Sequence, residues 1–343
     1  MTATDLETNA LMAKTIPASG DAASWRMLEY LPVGLFGSVM GLTGLSVAWR
    51  LAHARYGVPA VIADVIGAIA MMVFAALTIG YLVKFATATD AVKSEFRHPI
   101  AGNLFGTFLI SLLLLPIVLA PINLRAAQVM WAIGAVGMFA FAWMIVTRWM
   151  SDRQQIAHAT PAWIVPVVGL LDVPLALPSL GLPPMHGVML ASLAIGLFFA
   201  VPLFTLIFSR LVFEPPIPDA LQPTLLILVA PFAVGMSTYI VTTGAMYLFA
   251  ESLFMLTLFV LAVLLNRIRY LLACCPFRVA WWAVSFPFAA SAIAALRFAA
   301  AQPSGIRDGI ALALLAIATL TIAGLLVRTL YGVATGELRT LST

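Results

Sequence analysis

Long apolar runs separated by short polar breaks repeat along almost the whole chain. A membrane-crossing helix needs roughly 20 apolar residues. Ten runs meet that length, at about 32–52, 61–84, 99–120, 126–148, 161–179, 188–213, 224–243, 246–266, 279–300 and 309–331. The fifth and seventh are interrupted by Pro and Gly, so their limits are the softest. The odd-numbered runs carry internal proline: Pro116 in the third, Pro174 in the fifth, Pro231 in the seventh and Pro287 in the ninth. The first has Gly37, Gly41 and Gly44 instead, and of the even runs only the sixth has a proline, Pro202. Successive odd-run prolines are 58, 57 and 56 residues apart, about one helical hairpin, which predicts five repeated hairpins.

Proline removes a backbone N–H and kinks a helix interior. Broken backbone at membrane depth is tolerated only where protein buries it or where it lines a cavity. The odd spans are therefore expected inside and the even spans against lipid or other subunits. Five kinked helices in a ring would leave an axial hole. The plainer alternative is a solid bundle in which the prolines merely bend helices.

Composition agrees with this class. The chain of 343 residues is 63% hydrophobic and 9% charged, with mean hydropathy +1.06. A soluble domain carries about 25% charged residues. The fold class expected is all-α integral membrane, with ten helices in five hairpins and the kinked odd helices around a central pore. The net charge of +4 does not call for nucleic acid as a partner, because the basic residues follow the membrane topology. With the N-terminus in the cytoplasm, 13 of the 18 lysines and arginines fall on cytoplasmic segments. Both termini are thus expected in the cytoplasm of a cell bounded by an inner (plasma) membrane. Residues 1–30 mix acidic and basic groups, show no signal peptide and read as a cytoplasmic tail. Residues 31–332 form the membrane domain, and residues 333–343 a second tail.

Candidate chemistry is sparse. Cys274 and Cys275 are adjacent, so neither a disulfide framework nor a CxxC metal pair is available. The histidines at 53, 98, 158 and 186 lie at loops or span ends without ligand spacing, so no metal and no cofactor is expected. No phosphate loop or nucleophile elbow is present, and no catalytic residue is assigned. Asp64, Glu251 and Arg297 lie near span ends, where snorkelling or subunit contact would account for them. "GLTGLS" in the first span has small residues three apart, which suits close helix packing. Asp172 stands apart, near mid-membrane and two residues before Pro174. A charge at that depth is costly. Asp172 is expected to be protonated and hydrogen-bonded to backbone freed by the kink, or else to couple protons or line an ion path.

Five stretches resemble one family. "LPVGLFGSVMGLTGLSVAWR" (31–50), "HPIAGNLFGTF" (98–108), "TPAWIVPVVG" (160–169), "LVAPFAVGMSTYI" (228–240) and "WWAVSFPFAA" (281–290) are similar to the first, third, fifth, seventh and ninth helices of the tellurite-resistance/dicarboxylate transporter family. That family includes bacterial tellurite-resistance permeases, fungal malate permease and the plant slow anion channels. The resemblance covers nearly the whole chain after residue 30. It implies five hairpins around a pore, a homotrimer, and a ninth-helix phenylalanine, here Phe286, that plugs the pore. Phe36, Gly37, Gly41, Phe105, Pro116, Asp172, Pro174, Pro231, Phe232 and Pro287 are the other pore-lining candidates. The family usually has an uncharged residue at the Asp172 position.

Two functions follow from this reading. One is a passive anion channel gated by Phe286, carrying inorganic or small organic anions. The other is a carrier for C4-dicarboxylates or tellurite-like oxyanions, proton-coupled through Asp172. The sequence offers no evident pore arginine to grip a dicarboxylate, which favours the channel. A membrane enzyme would need clustered His or acidic residues, and the chain has none.

Overall fold

A computed structural model describes residues 30–183, 185–274 and 277–337, with the side chains of 267–274 left aside. Residues 1–29 of the proposed N-terminal tail and 338–343 of the C-terminal one lie outside these residues, as do Cys275 and the basic residues Lys14, Arg26 and Arg339. Among the described residues ten helices are long and apolar enough to cross a membrane: Val33–Tyr56, Val61–Thr87, Ala101–Leu119, Leu124–Ser151, Pro161–Leu180, His186–Phe213, Asp219–Thr243, Leu248–Asn266, Val279–Ala301 and Gly305–Ala334. The chain is thus an all-α, multi-pass membrane protein. Ten crossings put residues 30 and 337 on one face, called proximal here; the opposite face is distal.

Burial separates the two parities. In the odd spans 67–78% of the most apolar stretch is buried, against 17–39% in the even spans. Large apolar side chains such as Trp143, Phe198 and Leu320 stand exposed on the even spans. The odd helices form the interior and the even helices the sheath, as the proline parity predicts.

The backbone of the odd spans departs from the expected picture in one respect. Each even span is a continuous α-helix, the sixth included despite Pro202. Each odd span instead begins as a 3₁₀-helix and turns α-helical part-way along. The 3₁₀ stretches are Val33–Leu35, Ala101–Phe105, Pro161–Ile164 with Gly169–Ala176, Asp219–Val229 and Val279–Val284. Pro231 and Pro287 fall in the first turn of the α-helical part, where a missing N–H costs little. They therefore do not kink an α-helix interior. They start the α segment just after the tighter helix ends.

Hydroxyl side chains cover carbonyls of these segments, at the change of helix type in four spans and within the 3₁₀ stretch in the seventh. Ser38 donates to Leu35 O at 2.7 Å, Thr107 to Leu104 O at 2.6 Å, Ser179 to Ala176 O at 2.8 Å, Thr224 to Leu221 O at 2.6 Å and Ser285 to Trp282 O at 2.6 Å. All five odd spans thus carry a Ser or Thr bonded three residues back. In the long 3₁₀ stretch of the fifth span, neighbours supply further donors. Thr238 donates to Leu171 O and the Trp131 indole to Val173 O.

The first and ninth spans pack most closely. A Cβ on Gly41 would overlap Ser285, and one on Gly44 would lie 2.9 Å from the Ala289 Cβ. The small residues of "GLTGLS" exist for this contact. Two ion pairs tie the distal ends together: Arg50 with Asp64 at 3.1 Å, and Arg55 with Asp308 at 2.7 Å. Asp64 thus pairs within its own hairpin, and Glu251 accepts from Gln302 at 2.5 Å. A short polar helix, Thr89–Arg97, follows the second span and was not expected from the apolar runs.

Gly41→Ala should overpack this contact and cost about 1–3 kcal/mol. Gly324 lies in the tenth span with open space around it, and Gly324→Ala should leave stability within about 0.5 kcal/mol. Thermal unfolding of the two purified variants in one detergent checks the difference. Equal melting temperatures would contradict the packing described.

Candidate functional site: two cavities meeting at Phe286

The odd spans surround two cavities stacked along the membrane axis. The proximal one has a volume of about 240 Å³ and the distal one about 290 Å³. Their walls follow helical periodicity. On the first span Gly37 and Met40 face the proximal cavity, and Gly44 and Val47 the distal one. On the third, Thr107 and Ile110 are continued by Leu114 and Ile117. On the fifth, Val168 and Asp172 are continued by Leu175 and Ser179. These spacings of three, four and seven keep each series on one face of its helix.

Two residues border both cavities, Val234 of the seventh span and Phe286 of the ninth. The Phe286 side chain is 8% exposed and stands between the two spaces. It lies against Gly44, whose absent Cβ would come 3.6 Å from the ring. Ser285 fixes the backbone beside it, donating to Trp282 O and, at 3.3 Å, to Gly37 O of the first span.

Of the residues anticipated from the sequence, Gly37, Asp172, Phe286 and Pro287 border the central cavities. The others lie elsewhere. Phe36 turns outward into an aromatic cluster, 5.0 Å from the Phe108 ring and 5.9 Å from Phe74. Phe105 packs on Phe96 and Tyr81 at 5.1 and 6.1 Å. Phe232 packs on Phe204 of the sixth span at 5.6 Å. Gly41 serves the contact with the ninth span. Pro116, Pro174 and Pro231 are buried in the helix packing and contribute to neither wall. Pro231 and Pro287 follow a change of helix type, which differs from the face that looks inward.

Asp172 is 2% exposed and borders the proximal cavity. Its Oδ1 has no hydrogen-bond partner, so the expected bond to freed backbone is absent at this atom. The flanking carbonyls of Leu171 and Val173 already accept from Thr238 and Trp131. A second acid, Glu95 of the short polar helix, lies at the proximal mouth. It accepts from the Val33 N–H at 2.7 Å, Lys84 Nζ at 2.7 Å and the Tyr81 hydroxyl at 3.1 Å. Lys84 is itself buried and also donates to Leu31 O at 2.8 Å. Arg278 shares this mouth.

The distal cavity contradicts one expectation outright. An arginine does border it: Arg297, together with Thr43, Ser179 and Ser237. Arg297 is eleven residues after Phe286, about three helical turns, and that register was its only sequence signal. Val234, Met40 and Ile110 carried none, since apolar residues of the same types face core, lipid and cavity alike in these spans. Among the described residues no group of three His, Cys, Asp or Glu could hold a metal ion.

An all-helical membrane protein whose inner helices enclose two stacked cavities is built like a channel or transporter. Its sequence narrows the class. The voltage-dependent anion channel family matches residues 30–330, and the chain belongs to that family. It is 28% identical over 314 residues to the S-type anion channel SLAH3 of Arabidopsis thaliana, covering 89% of this chain and 49% of that protein. Identity to the guard cell S-type anion channel SLAC1 of the same plant is 24% over 318 residues, covering 89% and 56%. A tellurite resistance protein TehA homolog of Haemophilus influenzae is 26% identical over 139 residues, 40% of this chain and 42% of that one. The chain spans about half the length of these plant relatives. The resemblance noted from the five odd-span stretches is therefore borne out at the level of the family.

Replacing Glu95 by Ala would leave the Lys84 ammonium buried without its counter-charge. Breaking such a pair costs about 3–5 kcal/mol. Glu95→Ala should unfold at markedly lower temperature and expose the 88–98 segment to protease, while Glu95→Gln, which keeps the acceptor, should lose less. Unchanged proteolysis in Glu95→Ala would show that this cluster does not hold the proximal mouth.

Proposed function

We propose that the chain is a passive anion channel of the plasma membrane, with Phe286 as its gate. The observation that carries the reading is the position of the Phe286 ring, bordering both cavities beside Val234 and Gly44. A constriction of apolar groups stops ions by refusing to hydrate them, and needs no charge to do so. Membership of an anion channel family supports the direction of this reading. The exposed apolar faces of the even spans suit lipid and subunit contact, which is the basis for proposing a homotrimer with a pore in each subunit and both termini in the cytoplasm.

Phe286→Ala should pass several-fold more anion current than wild type in planar bilayers. Phe288 is the control. It is also buried, two residues on and about 200° further round the helix, and borders neither cavity. Phe288→Ala should act as a core truncation costing about 3–5 kcal/mol, with lower yield and no added current. If Phe286→Ala is the unstable variant and conducts no better, the gate assignment is wrong.

A second reading, a proton-coupled carrier, draws on one observation: the unpartnered carboxyl of Asp172 at the proximal cavity. Asp172→Asn keeps shape and removes the titrating group. On the channel reading its flux needs no pH gradient, as in wild type. A wild-type flux that requires a pH gradient, a requirement lost in Asp172→Asn, would make the carrier the correct reading.

A further inference from the structure

The two cavities differ in charge. The proximal one is bordered by Asp172 and Glu95, with Arg278 at its mouth. Among the described residues Arg297 is the only ionisable one bordering the distal cavity. It shares one stripe of the ninth span with Phe286, Ala290 and Ile293, at spacings of four, seven and eleven. At 100° per residue, eleven steps return to within about 20° of the starting direction and advance about 16 Å. Arg297 thus sits on the Phe286 face, on the distal side of the ring.

Its partners are what set it apart. Arg50 and Arg55, toward the same face, each have an aspartate within 3.1 Å. Arg297 has no carboxylate within ion-pair distance among the described residues; its Nε is buried without a hydrogen-bond partner, as is that of Arg50, but Arg50 keeps Asp64 beside it. The Thr43 hydroxyl borders the same cavity and is likewise buried and unpartnered. Ser237 adds a further hydroxyl to that wall. Two orphaned polar groups on one cavity are expensive to maintain unless something else fills their hydrogen-bonding capacity.

We infer that Arg297, Thr43 and Ser237 form an anion-binding site in the distal cavity, suited to a monovalent planar oxyanion such as nitrate or a small monocarboxylate. A guanidinium presents a planar fork of N–H donors that matches two oxygens of a planar anion. The hydroxyls serve the third oxygen of nitrate, or second lone pairs on the oxygens of a carboxylate. The one fixed cation neutralises one negative charge, and a divalent anion would keep an uncompensated charge in a low-dielectric space. The site rests on the reading of the two cavities as one anion path, and gives that path a station beyond the ring. A single weak station raises local anion concentration and still releases its occupant, which conduction requires.

The test uses the full chain in lipid nanodiscs with sodium nitrate as probe and sodium sulfate at matched ionic strength as reference. Nitrate should raise the melting temperature of wild type saturably over sulfate. Arg297→Gln should abolish that difference, and Arg297→Lys, which keeps the charge and loses the fork, should reduce it and erase the preference for nitrate over chloride. In bilayers, Phe286→Ala with Arg297→Gln should need about tenfold more distal nitrate for half-maximal current than Phe286→Ala alone, the loss of one charge-assisted interaction. Should Arg297→Gln fail to fold, Thr43→Val should still weaken the nitrate effect several-fold. Nitrate stabilisation and half-saturation unchanged in Arg297→Lys and Thr43→Val would overturn the site while leaving conduction standing. Nitrate stabilisation lost on substitution, in a protein that never conducts, would uphold the site and defeat the channel reading.

Discussion

Within a bilayer no water is available to a backbone amide, so every N–H and C=O must find its partner inside the protein. The even spans meet this with unbroken α-helix and can face lipid. The odd spans do not, because each changes from 3₁₀- to α-helix part-way along. Their exposed carbonyls are closed by Ser38, Thr107, Ser179, Thr224 and Ser285, each bonding three residues back. Helices of that kind are confined to the interior. Five of them surround a volume that side chains only partly fill, and the two cavities are the space left over. The architecture and the central path therefore have one cause.

The parity of the prolines made that arrangement legible, because four of the five odd spans carry proline in a helix that does not run unbroken, whereas Pro202 sits alone in a continuous one. It did not report which side of the helix looks inward. Pro116, Pro174 and Pro231 belong to the packing, and Phe36, Phe105 and Phe232 turn to neighbouring helices. In a soluble protein, polar and apolar faces would separate these directions. Here lipid, core and cavity are lined by the same residue types, so Met40, Ile110 and Val234 had no contrast to show them. The polar short helix carrying Glu95 was missed for the opposite reason, since a search for apolar runs passes over it. Arg297 was visible as a charge, and only its register with Phe286 told that it faces the cavity.

The charges that remain are distributed unevenly about the ring. Glu95 is held by Lys84, Tyr81 and a backbone amide, and so is spent on structure. Asp172 and Arg297 are not: each keeps a buried polar atom without a partner, one on either side of Phe286. Buried polar groups left unsatisfied beside a cavity are where function is to be sought. An acid on the proximal side and a base on the distal side would make the path electrically asymmetric, with an anion held more readily beyond the ring than before it.

The central claim is that the two cavities form one path closed at Phe286. Substituted-cysteine labelling tests it directly, in a background with Cys274 and Cys275 replaced by Ser. Met40→Cys borders the proximal cavity and Ile293→Cys the distal one. An impermeant anionic methanethiosulfonate should label the first from the proximal face alone and the second from the distal face alone. Adding Phe286→Ala should open each position to both faces. Labelling of both positions from both faces with Phe286 intact, or sidedness unchanged after its removal, would contradict the account.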